Sequence, residues 1–352
     1  MNVFLESTRK DVAAFLSAYL AEKGKLFRGI NAWGPDAVRK LRPFVRTGKM
    51  LRAGLVATGS ALAGRRPGPS AIRAGAAVEL IQAALLIHDD IMDRDPVRRG
   101  APSLHRQYES QALRMGVREP AHFGAGMALC LGDIAFFLGF ELLSTLPEPA
   151  ERRAAIVSLW ADELCRVGLG QMQDLYFGEA FPAVEDADVL RLYLYKTARY
   201  SFSVPLLTGA RLGGAPASLL RRLASIGETM GILFQLRDDE IGLFGSENQT
   251  GKPVGSDIRE SKMTLLSRRL FERAGARDRA RLSEAFGNPR LGARVLSGVR
   301  ELAGKLGLRV ELREEMEKLH ARAGRAIDRL DAPAGAIRVL RDVLDFSLNR
   351  IR

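Results

Sequence analysis

Apolar residues follow a helical period along almost the whole chain, and that feature excludes most folds. Phe4, Val12, Phe15, Leu16, Tyr19 and Leu20 mark an amphipathic first helix. The same pattern predicts helices over 37–62, 70–93, 102–113, 121–145, 150–178, 186–209, 216–244, 257–274, 279–286, 290–304, 310–330 and 333–350. Gly/Pro breaks separate them at Gly64 to Pro69, Pro147 with Pro149, Gly213 to Pro216, Gly287 to Pro289, and Pro333. There is no strand-like alternation of useful length, no fixed-period repeat, no low-complexity segment and no composition shift. Although 352 residues could form two domains, a large helical core can hold a chain this long. The expectation is therefore one all-α domain over 1–352, with a looser C-terminal helical cap.

The two cysteines, Cys130 and Cys165, lie in apolar helical stretches without zinc-type spacing. They are expected to be buried thiols in a reducing, cytoplasmic setting. Charges appear early at the N-terminus, which argues against a secretory signal. The closest approach to a membrane span, His122 to Leu143, is interrupted by Asp133, Glu141 and glycines, so a buried core helix fits better and no stable membrane insertion is expected. The formal net charge is +12, from 53 Lys and Arg against 41 Asp and Glu. These basic residues are spread at helical spacing, and no basic run interleaved with aromatics points to nucleic acid. A solvated arginine-rich surface explains most of the charge. A minority of the cations fall where they could meet phosphate.

The most informative segment runs from Glu79 to Asp93, an apolar helix that ends in three carboxylates. Asp89 and Asp93 are four apart and share a helix face, with Cβ atoms about 5–6 Å apart. Such a pair can grip Mg²⁺, which completes its shell with phosphate oxygens and water. Asp90 is rotated away by about 100° and is the weaker ligand. The macrodipole disfavours acids at a helix C-terminus, so three of them call for a cation. A second apolar helix, from Gly231, ends in Asp238, Asp239 and Glu240. The residue one turn beyond Asp238 is Gly242, so this cluster is poorer. Two such helices in one chain could face each other and hold one trinuclear metal–diphosphate centre.

Four basic groupings complement the acids. Lys49 and Arg52 are three apart and are expected on one helix face. Arg98-Arg99-Gly100 forms a turn-like segment, and Lys196-Thr197 lies within an aromatic and apolar helix. Lys252 and Lys262 lie in and just after a long polar loop, Gly245 to Ser256. Arginine suits a diphosphate because its planar fork donates two parallel hydrogen bonds.

At this point the chain resembles the trans-isoprenyl diphosphate synthases of the polyprenyl synthetase family. The matching text is GKMLR at 48–52, ELIQAALLIHDDIMDRDPVRRG at 79–100, LGD at 131–133, GQMQD at 170–174, KT at 196–197, FQLRDDEIG at 234–242 and TGKPVGSDIRESKMT at 250–264. The resemblance implies an all-α, isoprenoid synthase-like helical bundle around a central active-site cavity. It implies up to three Mg²⁺ ions, isopentenyl and allylic diphosphates as substrates, and a homodimer. Asp89 and Asp93 resemble the first-motif metal ligands, with Asp90 supporting, and Asp238 resembles the main ligand of the second. Lys49, Arg52, Gln82 and Arg99 look like the isopentenyl diphosphate site. Arg98, Lys196, Lys252 and Lys262 look like the allylic diphosphate clamp, and Thr197 and Gln235 look like the lining of the forming carbocation. Gln171 and Asp174 look like helix-to-helix support. Three departures stand out. Gly242 replaces a third acid, which bears on the third metal site, although a DDxxG subset exists. Ala53 replaces a common proline, and Gln82 a common histidine.

The implied reaction is ionisation of the allylic diphosphate, attack by the isopentenyl double bond, and loss of a proton to the departed diphosphate. His88 sits beside Asp89 but is rotated from its face, so packing or an outer hydrogen bond is expected of it. His105, His122 and His320 are expected to be structural or exposed. The resemblance places the gate for chain length at Ala84 and Leu85, and a small Ala84 leaves room for a geranylgeranyl or somewhat longer product. Each added five-carbon unit could gain ~4 kcal/mol from burial. A class I terpene cyclase would need only one diphosphate site and a second-motif triplet that is not found. A non-catalytic subunit of a heteromeric synthase rests only on Gly242.

Overall fold

The structure is a computed structural model that describes residues 3–180, 183–245, 255–288 and 290–350. Apart from one short hairpin, the regular elements among these residues are helices, as the periodicity predicts. They cluster into two compact units. One comprises Met1–Leu159, Pro205–Pro216 and Ala332–Val339; the other comprises Trp160–Val204, Ala217–Asp331 and Leu340–Arg352.

The first unit holds α1 (Val3–Arg28), α2 (Trp33–Arg46), α3 (Leu51–Leu62), α4 (Pro69–Met92), the strands β1 (Val97–Arg98) and β2 (Ala101–Pro102), α5 (Leu104–Arg114), α6 (Pro120–Ser144) and the start of α7 (Ala150–Ala180). α4 is its core. Proline in the first turn suits a helix start. A helix apolar on every side must then be enclosed, and Ala74, Ala77, Val78, Leu80, Ile81 and Ala84 are fully buried. α6 packs closely on α4, because a Cβ at Gly139 would stand 2.8 Å from Ile81 and 3.0 Å from the Ala77 carbonyl oxygen.

The opposite face of α6 departs from the buried core helix expected there. Leu129 is 49% and Phe137 74% exposed. Hydropathy alone cannot separate a helix enclosed on all sides from one that is apolar on a face left outside. Cys130, on that outer face, and Cys165, on α7, are likewise exposed rather than buried.

The predicted 37–62 helix is two helices. α2 ends at Arg46, Thr47 and Gly48 follow, and Met50 takes a left-handed conformation with φ 51° before α3 starts. Lys49 therefore lies in the break and does not share a helix face with Arg52. The turn expected around Arg98 is a hairpin in which Val97 pairs with Pro102 and Arg98 with Ala101. Arg99 and Gly100 both have positive φ, 55° and 78°, as a two-residue type I′ turn requires.

The second unit continues α7 from Trp160. It adds α8 (Asp186–Tyr193) and a π-helix (Leu194–Ser203). The chain then runs into α9 (Val204–Leu212), which from Pro205 belongs to the first unit, and returns to the second with α10 (Ala217–Phe244), α11 (Ser256–Arg259), α12 (Leu265–Arg273), α13 (Ala276–Ala285), α14 (Ala293–Lys305), α15 (Leu308–Asp328) and the end of α16 (Ala334–Asn349). α10 packs against the π-helix and α15. On α7, Glu163 is fully buried and accepts from Arg199 of the π-helix at 2.9–3.1 Å, and Arg199 reaches Glu228 of α10 at 2.5 Å. The helix predicted over 257–274 is broken between α11 and α12, where the Thr264 hydroxyl caps α12 by accepting from Ser267 N at 3.1 Å.

Candidate active site

α4 stops at Met92, and Asp93 caps it with its N–H 2.8 Å from the Asp89 carbonyl oxygen. The last turn is thus intact, and Asp89 and Asp93 share one face. Asp90 points elsewhere and is buried. The hairpin carries Arg98 back to it, placing Nε 2.5 Å from Asp90 Oδ1, with Arg98 Nη2 3.0 Å from Asp95 and 3.6 Å from Asp89. Burial pushes the Asp90 carboxyl up to about 6, against the pull of Arg98. Burial opposes the charge of Arg98, but Asp90, Asp89 and Asp95 hold its guanidinium above its ordinary value. The Asp90 Oδ2 atom is buried with no hydrogen-bond partner among the described residues.

His88 Nε2 donates to the Leu129 carbonyl oxygen at 3.1 Å, and its ring lies edge-on to Phe136 at 5.6 Å. It is packed against α6, as its rotation from the Asp89 face predicts. His105 is buried beside Ser103, His122 is exposed, and His320 lies 2.7 Å from Asp345. Ala84 is fully buried and Leu85 half-buried on α4.

The same unit assembles the residues expected around a second diphosphate. Arg52 stands in the first turn of α3, and Gln82 is buried on α4 with its side-chain oxygen unpartnered among the described residues. An amide can present either of its atoms at such a place. Arg99 donates to the Phe44 carbonyl at 2.7 Å, and its guanidinium lies 3.1 Å from where a Cβ on Gly48 would stand, so the hairpin tip meets the GKMLR segment. Glu79, one turn before Gln82, opens the matching segment, and the sequence reading gave it no role. It is buried and accepts from Ala53 N at 3.1 Å, and burial raises its carboxyl against the pull of Arg52.

In the second unit, Asp238 is 46% exposed at its side chain and is ion-paired to Arg350, whose guanidinium lies 3.6 Å from the Phe234 ring centroid. Asp239 is buried. It accepts from the Tyr193 hydroxyl and from Gln235 Nε2 at 3.1 Å, and Tyr193 in turn accepts from Leu265 N at 2.8 Å. Burial pushes the Asp239 carboxyl up to about 8. Glu240 is engaged by Arg237, by Arg309 at 2.9 Å and by Arg313 at 2.7 Å. Tyr193 and Arg350 had no motif to reveal them.

Lys196 and Thr197 lie on the π-helix rather than on an α-helix, and Lys196 is ion-paired to Asp174 of α7. α7 comes this close because Gly170 has no side chain; a Cβ there would stand 3.0 Å from Lys196 N. Gln171 has its amide nitrogen buried without a partner among the described residues. Lys262 pairs with Glu260 at 2.6 Å. Lys252 lies outside the described residues.

Among the described residues, no three His, Cys, Asp or Glu side chains converge as a self-contained metal cage. The donors are hard carboxylate oxygens set one or two to a helix face. That set fits Mg²⁺, which takes few protein carboxylates and completes its shell with phosphate and water.

The polyprenyl synthetase pattern matches residues 39–298. A short chain isoprenyl diphosphate synthase of Methanothermobacter thermautotrophicus is 33% identical over 241 residues, 68% of each chain. A geranylgeranyl diphosphate synthase of Sulfolobus acidocaldarius is 32% identical over 247 residues, 70% of this chain and 69% of that one. A crystal structure of geranylgeranyl pyrophosphate synthase from Corynebacterium glutamicum, complexed with isoprenyl diphosphate and magnesium, superposes with a TM-score of 0.91 at 29% identity, covering 99% of this chain and 100% of that one. The chain belongs to the polyprenyl synthetase family.

Proposed function

We propose that this chain is a magnesium-dependent trans-prenyltransferase that condenses isopentenyl diphosphate with an allylic diphosphate to give a linear trans-prenyl diphosphate. The observation that carries the reading is the division of labour at the end of α4. Asp90 is committed to Arg98, while Asp89 and Asp93 share a face at the mouth of an apolar helix.

Up to three Mg²⁺ ions would be held by Asp89, Asp93 and Asp238, and when bound they neutralise the oxygens of the departing diphosphate. The chain's own residues do the rest. Lys49, Arg52, Gln82 and Arg99 bind the isopentenyl diphosphate. Arg98, Lys196, Lys252 and Lys262 hold the allylic diphosphate, with Asp90 and Asp174 orienting Arg98 and Lys196. The allylic C–O bond breaks and its electron pair leaves with the diphosphate. The isopentenyl double bond then forms the new C–C bond, and a proton passes to the released diphosphate. Thr197 and Gln235 line the cation formed between these steps, where fixed dipoles stabilise charge without reorganising.

The product is geranylgeranyl diphosphate or somewhat longer. The small, buried Ala84 five residues before Asp89 supports this, together with the geranylgeranyl synthases among its relatives. The chain acts as a homodimer, a reading supported by the outward apolar residues Leu129 and Phe137 of α6, which a second copy would cover. Its two exposed free thiols fit the reducing cytoplasm.

Incubation with Mg²⁺, isopentenyl diphosphate and five-, ten- or fifteen-carbon allylic primers is expected to give a ladder of linear prenyl alcohols after dephosphorylation. No product with any primer sinks the reading. Ala84→Phe should shorten the longest product, and an unchanged spectrum would refute the gate at that position.

A further inference from the structure

The second acidic cluster presents fewer carboxylates than its sequence shows. Asp239 is bonded to Tyr193 and Gln235, and both oxygens of Glu240 face arginines. Only Asp238 is substantially exposed, at 46%. A second carboxylate on its face would stand one turn on, at position 242, and that residue is glycine.

The space over Gly242 is nevertheless occupied. A Cβ built there would lie 2.5 Å from Oδ2 of Asp257. The oxygen missing from position 242 is thus replaced, within the same volume, by one from a later segment. Glycine inside a helix costs about 1 kcal/mol relative to alanine, and the close approach of Asp257 gives that cost a reason. The approach is fixed by the chain. Gly255, at φ +82°, sends its N–H towards the Gly242 carbonyl at 3.4 Å and opens α11, and Lys262 N donates to the Asp257 carbonyl at 2.8 Å. Asp239, Gly242, Asp257 and Thr264 line one small cavity.

We propose that Asp257 supplies the second metal site with the carboxylate that position 242 lacks, so that Gly242 and Asp257 work as a pair. The proposal rests on the reading of Asp238 as a metal ligand. Mg²⁺ should be titrated calorimetrically into the full chain with inorganic pyrophosphate present, and melting without metal should be recorded as a control on the fold. Asp257→Asn keeps the shape and removes the charge; apparent Mg²⁺ affinity is expected to fall roughly tenfold, with metal-free melting unchanged. Gly242→Asp alone sets a carboxylate against Asp257 and is expected to lower the metal-free melting temperature. Gly242→Asp combined with Asp257→Gly returns the acid to α10 and should recover most of the lost affinity. That double variant carries the test if Asp257→Asn does not fold, and affinity still roughly tenfold below wild type would then count against the pair. Asp257→Asn binding Mg²⁺ like wild type while Asp238→Asn loses it overturns the proposal and leaves the metal site standing. Wild-type binding by Asp238→Asn as well removes the metal reading of this cluster altogether.

Discussion

The two acidic clusters look like copies in the sequence, each an apolar helix closing on adjacent aspartates, yet their surroundings give them different work. At the end of α4 the middle acid, Asp90, is matched to a cation, Arg98, and the flanking pair Asp89 and Asp93 keeps a common face. On α10 the corresponding acid, Asp239, is matched to neutral donors, Tyr193 and Gln235, and Glu240 is drawn off by three arginines. The first helix ends in a pair and the second in a single exposed acid. Adjacent aspartates are therefore not equivalent ligands: the one turned inward becomes a fastening whose chemistry its partner decides.

The largest expected effect tests the ligand side of this contrast. Asp89→Asn should lower kcat by roughly 10²–10³-fold in a steady-state assay, through lost stabilisation of the leaving charge. Asp90→Asn should act instead through Arg98, raising KM for the allylic substrate more than it lowers kcat; the reverse split would break the distinction between ligand and fastening. Next in size, Glu240→Gln should cost about 1.5–3 kcal/mol in urea unfolding, the range for hydrogen bonds to charged groups. Arg309 and Arg313 are half-exposed and can turn to water, which keeps the cost below that of a wholly buried pair. Tyr193→Phe removes the acceptor for Leu265 N and a donor to Asp239, for about 1–2 kcal/mol. Stability equal to wild type would mean the fastening on α10 is dispensable.

The smallest effect is a slope. Glu79 is buried and its folded carboxyl is raised above the ordinary 4.5. The folded chain keeps this proton after the unfolded chain has lost it. Its stabilisation is therefore complete below about 4.5 and declines as pH rises from there towards the folded value. Glu79→Gln should flatten that decline in metal-free melts, and parallel curves would show that Arg52 and Arg99 already offset the burial.

What the sequence made legible was local. Asp89 and Asp93 could be paired from spacing alone because i, i+4 neighbours meet on any helix. The helical class followed from a period repeated over the whole chain. Contacts made across the fold were not legible. Arg98 reaches Asp90 only through a hairpin whose strands are two residues long. Tyr193 and Asp239 are 46 positions apart with no motif joining them. Lys49 lies off the helix face expected of it because the backbone leaves the helix at Thr47 and Gly48 and turns left-handed at Met50, a break that apolar spacing alone does not mark. The thiols and the outer face of α6 were misjudged for one reason: apolar composition reports what avoids water, not which surface does the covering.

The π-helix that carries Lys196 and Thr197 has a consequence for how such a site can change over time. A wider turn stores an additional residue in a run that otherwise reads as α-helix. Deleting one residue between Leu194 and Ser203 would let the run relax to α-helix and swing Lys196 by about 100° relative to the segment that follows. The aim of that lysine is therefore written in the length of the chain and not only in its spelling. A lineage that gained or lost one codon here would re-aim the side chain in a single step that no series of substitutions at position 196 could reproduce.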